Sequence, residues 1–71
     1  DYQGRLLDHA AKLRVLLAAH RALDGDAVAA DLEAAAASPG YEVRVDPAAR
    51  TVAVQQRFFR GKTGPEFSVR Y

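Results

Sequence analysis

The tripeptide Ser38-Pro39-Gly40 separates two stretches with different hydrophobic periods, and nothing else in the chain constrains its fold so strongly. Proline cannot continue a helical hydrogen-bond ladder and glycine tolerates positive φ, so a helix arriving from the N-terminal side must stop here. Before it, apolar residues recur at helical spacing; after it, they alternate with polar ones. Helices therefore come first and strands second.

In the helical half, Leu6 is the reference. At about 100° per residue, Ala10, Leu13, Leu17 and His20 fall within about 40° of it. Leu7, Leu16 and Leu23 flank that stripe, and Asp8, Lys12 and Val15 lie behind it. The spacing predicts a one-faced helix from Gly4 to Leu23 with the leucine stripe as its apolar face. Asp24-Gly25-Asp26 reads as a tight turn and a new helix start. A second helix over Asp26 to Ala37 places Val28, Leu32 and Ala35 on one face and fills its remaining surface largely with alanine, the best helix former.

The strand half holds three segments. Tyr41, Val43 and Val45 alternate with Glu42, Arg44 and Asp46, the pattern of a half-buried strand. Asp46-Pro47-Ala48-Ala49 suits a turn, because Asp can bond the following backbone and Pro presets φ. A second strand runs from Arg50 to Phe59 with Val52, Val54 and Phe58 toward the core. Arg60 to Pro65 is a loop, and Phe67, Val69 and Tyr71 face inward from a third strand. The expected fold is α+β and two-layered, α-α-β-β-β, with two N-terminal helices on one face of a three-stranded antiparallel meander.

Seventy-one residues form one domain spanning 1–71, and a chain this short buries only about 60% of its unfolded surface. Without cysteine there is no disulfide staple or thiolate metal site, so packing carries the stability. The start at Asp1 rather than Met suggests a segment of a longer protein. No apolar run approaches a membrane span. The expectation is a bacterial, cytoplasmic protein that does not contact membranes. The net charge of +1 implies no global attraction to nucleic acid, but residues 1–40 sum to −2 and residues 41–71 to +3.

Candidate chemistry is sparse. Gly61-Lys62-Thr63 resembles the tail of a phosphate-binding loop, yet the required first glycine is Gln56, and Gly64-Pro65 and a strand follow where a helix should open. His9 and His20 lie on one helix but about 16 Å apart along its axis, too far to share a metal ion. Ser38 and Ser68 occupy no strand-to-helix elbow. Asp24, Asp26 and Asp31 are helix N-terminal acids without the pattern of a calcium loop. No cavity for a small-molecule substrate is expected, so the residues predict no catalytic site, cofactor or metal.

What remains is surface. Phe58 and Phe59 must point to opposite faces unless a bulge re-aims one of them. An exposed Phe59 would make the open sheet face a contact surface with Arg44, Ala53, Gln55, Arg57 and Arg70. The last strand could also pair with a partner strand. The sequence thus predicts a non-catalytic protein-interaction or assembly domain, binding a protein partner or its own copy. Arg44, Arg57, Phe59, Arg60, Lys62 and Arg70 are its candidate contact residues. The alternative is a nucleic-acid-binding module using the basic hairpin from Arg57 to Arg70, in which Arg57, Arg60, Lys62 and Arg70 cluster at one end of the sheet with Phe58, Phe59 and Phe67 interleaved.

Overall fold

A computed structural model describes residues 2–23, 28–60 and 62–71. The elements are α1 (Tyr2–Leu23), α2 (Ala29–Ala36), β1 (Val43–Asp46), β2 (Thr51–Gln55) and β3 (Glu66–Arg70). The strands form one antiparallel sheet in the order β1-β2-β3, with the helices packed on it. This is the α+β order expected from the change of period at Ser38-Pro39-Gly40. The Asp24-Gly25-Asp26 turn, the helix start at Asp26 and Gly61 of Gly-Lys-Thr lie outside the described residues.

Local chemistry sets the boundaries. His20 and Arg21 in the last turn of α1, and Asp31 in the first turn of α2, complement the helix dipoles. After α2 the Tyr41 amide donates to the Ser38 carbonyl at 3.0 Å, across Pro39 and a Gly40 with φ of 79°. Proline and then positive-φ glycine at the two central positions make a type II turn. At the β1–β2 connection, Asp46 Oδ1 accepts the amides of Ala48 at 3.1 Å and Ala49 at 3.2 Å. The Arg50 amide donates to the Pro47 carbonyl at 3.3 Å, and Arg50 closes the turn at φ 56°. The anticipated Asp-Pro turn forms as its residues dictate.

Register fixes the inner face of the sheet. Val43 pairs with Val54 and Val54 with Phe67; Val45 pairs with Val52 and Val52 with Val69. Against these rows pack Ala11, Val15, Ala18 and Ala22 of α1 and Leu32 and Ala36 of α2. The core is small-grained: its largest fully buried side chains are Val15, Val52 and Val54.

Here the structure reverses the sequence expectation for α1. The buried residues are Gly4, Asp8, Ala11, Val15, Ala18, Ala19 and Ala22, the side taken as the back of the helix. Leu6, Leu7, Leu13, Leu16, Leu17 and Leu23 are exposed. Valines and Phe67 already fill the inner face of the sheet, and small helix side chains let α1 approach it closely. Two smaller corrections follow the same logic. Val28 is exposed just before α2, while Leu32 and Ala36 carry the buried face. β2 ends at Gln55, so Gln56 takes the next buried position and Phe58 is only half-buried.

Candidate functional site

One buried carboxylate organises the end of the sheet. Asp8 points from α1 into the segment that leaves β2, where its Oδ1 accepts the Arg57 amide at 3.2 Å and its Oδ2 accepts the Phe58 amide at 3.0 Å. The Tyr41 hydroxyl donates to Oδ1 at 2.5 Å. Burial pushes the Asp8 carboxyl up, but the Tyr41 hydroxyl, the two amides and the Lys12 charge more than offset this and hold it below its usual range. The same contact acts in the opposite sense on its partner: burial first, then the Asp8 hydrogen bond and charge, push the Tyr41 hydroxyl up to about 12. Asp8 is thus an ionised, satisfied anchor that fixes which side of α1 faces inward.

Of the candidate contact residues, Phe59, Arg60 and Lys62 come together at the tip of the β2–β3 connection. Phe59 bridges Lys62, whose amide donates to the Phe59 carbonyl at 3.1 Å. Phe59 is 40% exposed, and the Arg60 guanidinium stacks over its ring at 5.4 Å. Its other side abuts Gly64, where an added Cβ would stand 2.2 Å from Phe59 Cβ. Gln56 Nε2 ties the loop by donating to the Pro65 carbonyl at 2.9 Å, and Gln55 Nε2 donates to the Gly64 carbonyl.

The other three arginines are dispersed. Arg57 donates to the Gly40 carbonyl at 2.9 Å and lies over the rings of Tyr41 and Phe58. Arg44 on β1 pairs with Glu66 on β3 at 2.6 Å, reaching across the central strand where Ala53 is buried beneath. Each partner shifts the other toward its charged form. Arg70 pairs in register with Thr51, at the far end of the sheet from Gln55. Four residues of strand put it about 13 Å from that end. The sequence grouped Arg57, Arg60, Lys62 and Arg70 at one end of the sheet; antiparallel register separates Arg70 from the rest.

Contrary to expectation, the surface has a cleft of about 340 Å³, half-open to solvent and lined by Gly40, Glu42, Gln55, Arg57 and Thr63. Its charged lining is one acid and the Arg57 side chain already bound to Gly40. Among the described residues no three His, Asp or Glu side chains are grouped to hold a metal ion, and no helix is long and apolar enough to cross a membrane.

Among the described residues, most of the exposed large apolar side chains stand on α1. Leu6, Ala10, Leu13 and Leu17 run along it at spacings of four and three, with Leu16 and Leu23 beside them. Leu13 and Leu17 are each 59% exposed. Sequence reading found this stripe but assigned it to the core. The signal that could have redirected it is the second stripe, Gly4, Ala11, Ala18 and Ala22, small residues on the opposite side with Asp8 and Val15 among them. Comparison with known proteins finds no matching family model, no matching curated protein and no matching solved structure.

Proposed function

We propose that this chain is a non-catalytic protein-interaction or assembly domain and that α1 presents its principal contact surface. One observation carries the reading: six leucines of a single helix stand exposed while the buried core is built from alanine, valine and Leu32. Water contact with apolar surface costs about 25 cal/mol per Å², a cost that a partner covering the face would remove. A contiguous apolar patch of this kind marks an interaction surface more often than chance exposure does.

The polar outer face of the sheet and the edge strand β3, Glu66–Arg70, are secondary candidates, with Phe59 as the apolar element of the hairpin tip. The separation of Arg70 from Arg57, Arg60 and Lys62 shortens the basic track available to a phosphate backbone, which supports a protein partner over nucleic acid.

The test is size-exclusion chromatography with light scattering, on the chain alone and with amphipathic helical peptides, comparing wild type with Leu13→Glu/Leu17→Glu. Association of the wild type, lost in the variant with an unchanged circular dichroism spectrum, is the expected result. A wild type that stays monomeric at every concentration and ignores every helix sinks the proposal.

A further inference from the structure

We infer that the α1 surface receives an acidic amphipathic helix of a partner protein, an inference that rests on the reading of α1 as a contact surface. Leu6, Ala10, Leu13 and Leu17 alternate at spacings of four and three, which is the seam by which one helix packs along another. Alanine at position 10 leaves a hole between leucines into which a partner side chain can insert.

The charges beside the seam specify the partner. Arg5 lies along one edge, and Arg14 and Arg21, two helical turns apart, lie along the other. The one acidic residue of α1 is Asp8, and it is buried on the opposite side. Among the described residues the ion pair is Arg44–Glu66, so no carboxylate is salt-bridged to either basic edge. Arg14 instead donates to Ser38 Oγ at 2.9 Å, while Lys12, behind the seam and one turn from Asp8, lies over the Phe67 ring. An apolar seam with cations on both flanks complements a helix carrying Glu or Asp at its flanking positions, where such charges set partner choice.

The same pattern bears on two other occupants. In an antiparallel pair of copies, Arg14 near the middle of each helix would meet its counterpart, placing like charges together. A lipid surface would match the cations, the leucines and Tyr2, and the vesicle arm of the experiment below separates it from a helix.

The experiment uses two synthetic helical peptides with the same leucine seam, one flanked by Glu and one by Lys, titrated into the chain and followed by fluorescence anisotropy. The Glu peptide is expected to bind at least about tenfold more tightly at low salt. The gap should narrow to within about threefold near 1 M salt, where the screening length is about 3 Å. Arg5→Glu/Arg21→Glu should reverse the preference, and Leu13→Glu/Leu17→Glu should abolish binding of both peptides. Equal affinity for the two peptides, or a dimer of the chain that excludes both, would overturn the acidic-helix inference while leaving α1 as an interaction surface. Binding to anionic phospholipid vesicles with neither peptide bound, or binding to nothing, would overturn both.

Discussion

Replacing Asp8 by alanine tests the anchor that orients α1. The substitution removes the acceptor of three hydrogen bonds, from the Tyr41 hydroxyl and the amides of Arg57 and Phe58. The hydroxyl can rotate to another acceptor or reach water, but the two amides are fixed by the backbone. A buried donor left without a partner costs about 1–3 kcal/mol, and the carboxylate no longer has to be desolvated. The net loss is expected to be about 3 kcal/mol. For a chain of 71 residues the total stability is about 4–10 kcal/mol, so the effect is large. Asp8→Asn keeps one acceptor oxygen and turns an NH₂ group toward a donor, so about 2 kcal/mol is expected. Urea denaturation followed by circular dichroism, with an unchanged slope, reads both values. A loss below about 1 kcal/mol for Asp8→Ala would refute the view that this carboxylate fixes the orientation of the helix.

The pH dependence has a definite sign at both ends. The Asp8 carboxyl is lowered in the folded state, so its contribution is present above the unfolded value of about 3.9 and disappears as pH falls through the folded one. Wild type should lose more stability on acidification below about pH 4 than Asp8→Asn does. The Tyr41 hydroxyl is raised, so its contribution is intact below about pH 10 and is lost as pH rises toward about 12; Tyr41→Phe should flatten that limb. Leu13→Ala, at a 59% exposed position, should cost less than about 1 kcal/mol, whereas the smaller truncation Val15→Ala should cost about 2 kcal/mol. The reverse order in denaturation would place the leucines in the core. Gly64→Ala would set a Cβ 2.2 Å from Phe59 Cβ and should cost about 1–3 kcal/mol by displacing Phe59. An unchanged melting temperature and Phe59 environment would contradict that contact.

The order and type of the elements are legible in the sequence, because local chemistry decides them. Pro39 and Gly40 end the helical half, Asp46-Pro47 turns the first hairpin, and alternation assigns Val43, Val45, Val52, Val54, Phe67 and Val69 to one face. The direction of α1 was not legible in the same way. Periodicity marks an apolar stripe, and this helix carries two, one of leucine and one of small residues. Which of them turns inward depends on the space that the sheet leaves and on where Asp8 finds its donors, 33, 49 and 50 residues away in the chain. Antiparallel register likewise decided that Arg70 stands apart from Arg57, Arg60 and Lys62. Hydrophobicity along a helix is a local property, whereas close packing and the satisfaction of a buried carboxylate are properties of the assembled chain. Those two conditions turned alanine inward and left leucine at the surface.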